Sequence, residues 1–166
     1  MKTWITANLN FGSSEYFSDE FSFRYKKYDI DDFILYNINK NVSPEDTLIV
    51  VGNVLSSSSA SNYLGSILCK NLFCVPSKKD LELIQYITPF FEVIEGPIFT
   101  DNYIMLYYDY EDCKDYTLKY GLGACGSPFY DWKINDNIFN VSIDLWDFSP
   151  VNVETLEKRK IYAEQN

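Results

Sequence analysis

The side chains that most often do chemistry near neutral pH are thinly represented in this 166-residue chain, which has no histidine and four cysteines. Without an imidazole there is no Ser-His-Asp or Cys-His nucleophile activation. There is no His-containing zinc site and no facial-triad iron site, and the commonest general acid/base is missing. Cys69, Cys74, Cys113 and Cys125 form no CxxC pair, which excludes zinc-ribbon and thioredoxin chemistry. They are expected as free thiols, with Cys69 and Cys74 in or near the core. A carboxylate Mg²⁺ site or a binding site without catalysis remains. Asp109, Glu111 and Asp112 offer one such carboxylate cluster; the competing reading is a solvated acidic loop running to Asp115. The serine tract Ser56 to Ser59 reads as a loop feeding a helix N-cap rather than as a phosphate cradle.

Several elements must position these groups. Thr3 to Thr6 reads as a short buried strand that stops at Ala7-Asn8-Leu9-Asn10, followed by Phe11-Gly12. Residues 13–28 are irregular and aromatic. Asp29 is placed to cap a helix whose apolar positions Ile30, Phe33, Ile34 and Ile38 follow helical spacing. After the turn Ser43-Pro44-Glu45-Asp46, the apolar run Thr47 to Val51, bounded by Gly52, suits a strand buried on both faces. Tyr63, Leu64, Ile67 and Leu68 give a helical face, and Leu72 to Val75 the next strand, ended by Pro76. Strand, helix and strand over 47–75 make a βαβ unit with parallel pairing and a right-handed crossover. Leu81, Leu83, Ile84 and Ile87 mark a short helix. Beyond Pro89 the chain turns mostly to strands, at Phe91 to Ile94, Pro97 to Phe99, Tyr103 to Tyr107 and Phe139 to Ile143, before a short helix over Val153 to Lys158.

Length and composition agree with one α/β domain over residues 1–166, since 46% apolar residues suffice for a core of that size. No apolar run approaches the ~18 residues that span a bilayer. The N-terminus turns polar at Asn8 without a signal-peptide core, so a soluble cytoplasmic protein is expected, with no membrane partner. The net charge of −10 opposes general binding to phosphate backbones while leaving room for a local basic pocket. The 14 tyrosines and 12 phenylalanines accompany abundant Asn, Lys and Ile, so codon bias in an AT-rich genome accounts for them before any stacking platform does.

In motif order the chain resembles the small calcineurin-like metallophosphoesterases, especially the short stand-alone forms of phages and bacteria. Met1 to Gly12 is similar to the family's opening strand and Asp-x-His-Phe-Gly. Tyr36-Asn37, Pro44-Glu45-Asp46-Thr47 and Val51-Gly52-Asn53 are similar to its Trp-Asn, Asp-Thr and Leu-Gly-Asp, and Phe73 to Asp80 sits where Gly-Asn-His-Asp belongs. Asn140-Val141-Ser142-Ile143-Asp144-Leu145-Trp146, followed by Pro150-Val151, is the most specific match, and it carries no catalytic chemistry. The resemblance implies a four-layer αββα sandwich with mixed sheets and a site at the carboxyl ends of the strands. It also exposes systematic losses. The family's Asp and His in the first motif become Asn8 and Asn10, its metal-bridging Asp becomes Asn53, and its Asn ligand and catalytic His become Lys78 and Lys79. A later His falls at Tyr108, and the Gly-His-x-His segment falls within Gly121 to Gly126, most simply as Gly123-Ala124-Cys125-Gly126. Asp80, which lies behind the ligands in the family, is kept.

The implied protein is a catalytically inactive pseudoenzyme with no metal and no cofactor. Amide oxygens are weak neutral ligands and a charged ammonium cannot ligate. Where the family balances three carboxylates against two divalent ions, Asp80 here faces Lys78 and Lys79, so the pocket still suits a phosphate. Asn8, Asn10, Asn53, Lys78, Lys79 and Tyr108 are the expected ligand-binding residues, for a nucleotide or cyclic nucleotide signal held as by a phage-encoded sponge acting against host defence. The alternative is an acidic protein–protein inhibitor or nucleic-acid mimic of a host enzyme, with Tyr16, Phe17, Phe21, Phe23 and Tyr25 as contact residues or as an apolar flap over the sheet.

Overall fold

The structure is a computed structural model that describes residues 1–13, 29–96, 98–99, 104–106, 122–125, 133–135 and 138–164. The expectations for the aromatic segment 14–28, for Tyr108, for the carboxylates Asp109, Glu111 and Asp112, and for Cys113 lie outside these residues.

Strand β1 (Thr3–Thr6) is followed by helix α1 (Ile30–Asn41) and strand β2 (Thr47–Val51). A 3-10 turn (Ser58–Ala60) leads into α2 (Ser61–Leu64), then β3 (Asn71–Val75), α3 (Lys78–Glu82), α4 (Ile84–Ile87) and β4 (Glu92–Val93). A second run of strands follows: β5 (Ile98–Phe99), β6 (Ile104–Leu106), β7 (Leu122–Cys125), β8 (Lys133–Asn135) and β9 (Ile138–Asn140). A 3-10 turn (Ile143–Trp146), β10 (Val151–Asn152) and α5 (Val153–Glu164) close the chain.

These strands form two five-stranded mixed sheets, ordered β10-β1-β2-β3-β4 and β5-β6-β7-β9-β8. In the first sheet β1, β2, β3 and β4 run parallel and β10 lies antiparallel on β1. The alternation of side chains along a strand accounts for the layers on its two faces. Leu48, Val50, Leu72 and Cys74 point to the side where Ile34 and Ile38 of α1, Leu64 and Ile87 pack. Ile5, Ala7, Ile49, Val51 and Val75 point the other way, against Phe139 and Val141 from the end of β9 and Val153 and Leu156 of α5. Residues Leu48 to Val51 are therefore buried without exception, as their unbroken apolar run requires.

Helix α1 starts as its sequence dictates: the Asp29 carboxylate caps it by accepting a hydrogen bond from the Asp31 amide. Three expectations need correction. The helical face read through Tyr63, Leu64, Ile67 and Leu68 stops at Leu64; Ile67 is buried beyond the helix and Leu68 is 60% exposed. The expected strand from Phe139 to Ile143 ends at Asn140 and gives way to a 3-10 turn. The final helix runs past Lys158 to Glu164. Strands β7 and β8 had no sequence signal, being only a few residues long.

Candidate functional site

Beyond the ends of β1 and β2 the two segments run side by side. Asn8 N donates to Gly52 O (3.1 Å), Asn10 N to Asn53 O (2.8 Å), Phe11 N to Val54 O (3.2 Å) and Ser56 N to Phe11 O (2.9 Å). On the other flank Ala7 N donates to Val141 O and Ile143 N to Ala7 O, both at 2.9 Å, which docks the exit of β9 onto the end of β1. This zipped geometry needs left-handed backbone. Asn8 (φ 57), Asn10 (φ 47) and Asn53 (φ 52) all adopt it, next to Gly52 (φ 73) and before Gly12 (φ 82). Asparagine tolerates that region best among residues with a side chain, so these asparagines serve the backbone as well as the site. Gly12 is further constrained, because a Cβ there would meet the Cβ of Ala60 at 2.9 Å.

The side chains then meet in one network. Asn53 Nδ2 donates to Asn8 Oδ1 (3.0 Å), Asn8 Nδ2 donates to Ser142 Oγ (2.8 Å), and Ser142 Oγ donates to Asp144. Ser77 Oγ lies 2.9 Å from Asn53 Oδ1 and 2.7 Å from Asp80 Oδ2, and its single proton serves one or the other. Asn10 Nδ2 donates to Asn8 O (3.2 Å), and Asn10 Oδ1 accepts from Ser56 Oγ (3.4 Å).

Asp80 is fully buried and its charge is met from within the chain. Its Oδ2 accepts from Asn53 N (2.7 Å) and Ser77 N (2.8 Å), and its Oδ1 accepts from Val54 N (2.8 Å). Lys78 and Lys79, the first two residues of α3, are exposed and form no ion pair among the described residues. The ordinary surface pair between these lysines and Asp80, open from the sequence alone, does not form: Asp80 has turned inward to cap α3 and tie down the β2 exit.

A dimetal centre does not suit this donor set. The oxygens of Asn8, Asn10 and Asn53 already accept hydrogen bonds from Asn53, Ser56 and Ser77, and the carboxylate of Asp80 is occupied by backbone amides. Among the described residues no three Cys, Asp or Glu side chains gather as a cation needs. The thiols offer no substitute. Cys69 and Cys74 are free and buried, and burial raises both thiol pKa values, far more at Cys74, where the charge of Asp80 adds to the shift.

Asn8, Asn10 and Asn53 are thus brought together, and Lys78 and Lys79 lie at the same end of the sheet, one and two residues beyond Ser77. Tyr108 lies outside the described residues. Ser56, Ser77, Ser142 and Asp144 are the members that sequence reasoning missed. Ser142 and Asp144 stood within the segment read as free of catalytic chemistry, and their spacing carried no sign of the contact with Asn8, 134 residues away. Within the segment matched to the family's Gly-His-x-His, Leu122–Cys125 forms β7, parallel to both β6 and β9.

No family model matches the chain, and no curated protein does. A solved structure shares the fold: the crystal structure of the protein of unknown function AQ665 from Aquifex aeolicus is similar to 95% of this chain and 98% of that one, with a TM-score of 0.63 and 14% sequence identity. At that identity the likeness speaks for a mixed α/β architecture extending over nearly the whole chain.

Proposed function

We propose that this chain is a non-catalytic pseudo-phosphoesterase on a calcineurin-like αββα scaffold, which binds and sequesters a phosphate-containing small molecule of the nucleotide or cyclic nucleotide class without metal. The strand orders of the two mixed sheets support the scaffold. One observation carries the binding reading: amides from the ends of β1 and β2 converge at the sheet edge that also bears Lys78 and Lys79, whose charges Asp80 does not neutralise by pairing. Two ammonium groups at the end of the sheet that carries these amides would attract a phosphate as point charges, whereas nothing in that donor set activates water.

A capture assay tests this. The protein is incubated with a nucleotide and cyclic nucleotide panel, washed, heated and the released material chromatographed. Recovery of an intact ligand is expected, with its affinity lowered at least about tenfold in Lys78→Glu/Lys79→Glu, as loss of charge-assisted contacts implies. Degraded ligand, or two stoichiometric bound metal ions, would overturn the non-catalytic reading. Capture of nothing would overturn the binding reading and favour an acidic inhibitor of a host enzyme, detectable as a salt-sensitive pull-down of one nucleic-acid enzyme.

A further inference from the structure

A chain of hydrogen bonds crosses the site between two carboxylates, in the order Asp144, Ser142, Asn8, Asn53, Ser77, Asp80. Every interior member both donates and accepts, so the chain has a direction. Here the amides donate toward Asp144, Asn53 Nδ2 to Asn8 Oδ1, Asn8 Nδ2 to Ser142 Oγ and Ser142 Oγ to the Asp144 carboxylate, and the run begins at Ser77 Oγ when its one proton serves Asn53 Oδ1 rather than Asp80 Oδ2. Among the contacts named here, the same heavy-atom positions also serve the opposite direction. Turning over the two amides and swinging two hydroxyl protons would send donation from Ser142 to Asn8, Asn53 and Ser77 in turn, ending on Asp80 Oδ2, already 2.7 Å from Ser77 Oγ. The two directions differ in which carboxylate receives the last hydroxyl proton. Asp80 has three backbone amides to satisfy it without Ser77. In a low-dielectric site aligned bonds polarise one another, so mixed directions are disfavoured.

We propose that Asp144 is a positioning residue that selects the direction of this chain. It thereby sets where Asn8 and Asn53 place their amide oxygens and nitrogens across the mouth of the site. The direction itself is independent of any ligand. Its consequence for affinity rests on the phosphate-binding reading above.

Side-chain amide NMR on the isotope-labelled full-length chain tests the direction. In the wild type the Asn8 amide protons should show cross-peaks to Ser142 Hβ. In Asp144→Ala these should be replaced by cross-peaks from the Asn53 amide protons to Ser77 Hβ, and Asp144→Glu should restore the original pattern. An Asp144→Ala spectrum with the wild-type pattern overturns the proposal. Binding of inorganic diphosphate supplies the second measurement. Removing Asp144 also removes a negative charge, and that effect persists in a Ser142→Ala background, while an effect carried through the chain vanishes there. The change in affinity caused by Asp144→Ala should therefore differ about fivefold between the two backgrounds, the scale of coupling between contacting residues. Equal changes overturn the proposal. A wild-type protein that ignores diphosphate removes the phosphate-binding reading and leaves the amide cross-peaks to decide the direction.

Discussion

Asp80 shows how much one residue can hold. Its two oxygens tie Asn53 and Val54, just past β2, to Ser77, just past β3, and they complete a capping box with the Ser77 side chain at the start of α3. Asp80→Asn replaces one acceptor oxygen with a donor facing backbone N–H groups. It should destabilise the fold by about 3 kcal/mol, the range for buried donors left without an acceptor, read as a lowered urea midpoint with unchanged slope. Gly12 is the second sensitive residue. Its positive φ and the contact with Ala60 predict that Gly12→Ala costs about 1–3 kcal/mol by thermal unfolding. Both residues stood in the sequence, Asp80 behind two lysines and Gly12 after the first strand. The reason each is needed lies in contacts made across tens of residues.

At the scale of elements, β1 is anchored at its start by Asp46, which accepts from Lys2 N (2.7 Å), Trp4 Nε1 (3.1 Å) and Ser43 N (3.2 Å). The amide of Lys2, above all, holds this carboxyl below its usual value of 3.8. A carboxyl with a depressed folded pKa contributes stability that is present above the unfolded value and lost as pH falls through the folded one. Asp46→Asn should therefore lower stability by about 1–2 kcal/mol at pH 7. That gap from the wild type should narrow as the pH is taken below about 4 in acid titrations followed by circular dichroism. The turn Ser43 to Asp46 was legible as a turn, yet nothing local announced that its last residue would clamp an indole and an amide more than forty positions earlier. The helix expected over Tyr63 to Leu68 shows the opposite failure. Its apolar spacing is helical, and Ile67 is buried as that spacing asks, but burial is reached after the helix has ended at Leu64.

For the molecule as a whole, the apolar layer between the first sheet and β9 is the joint. Phe139 is 1% exposed and lies among Ile5, Ile49, Val51 and Leu156, which belong to the first sheet and to α5. Phe139→Ala should cost about 3–5 kcal/mol, the usual range for deleting a buried ring. Urea unfolding should stay a single transition if the two sheets form one cooperative unit, and split in two if they do not. The net charge of −10 adds a self-repulsion that salt screens, so the thermal midpoint should rise between low ionic strength and about 0.5 M sodium chloride.

The sequence by itself determined the parallel strands of the first sheet and helix α1, though not the antiparallel β10. Thr47 to Val51 and Leu72 to Val75 are uninterrupted apolar runs, and Asp29 heads an apolar helical stripe; such signals are local and survive in any context. It also determined which chemistry is absent, since a missing side chain type needs no fold to be missed. The short strands of the second sheet were legible only in part, because two to four residues hold too little periodicity to declare a strand. Tertiary structure alone decided the company each polar group keeps. Parallel pairing brings the ends of β1, β2 and β3 to one edge, and the docking of β9 onto Ala7 delivers Ser142 and Asp144 to Asn8 from across the chain. Side-chain hydrogen bonds depend on register between distant strands, and register follows from burial summed over the whole core rather than from any one segment.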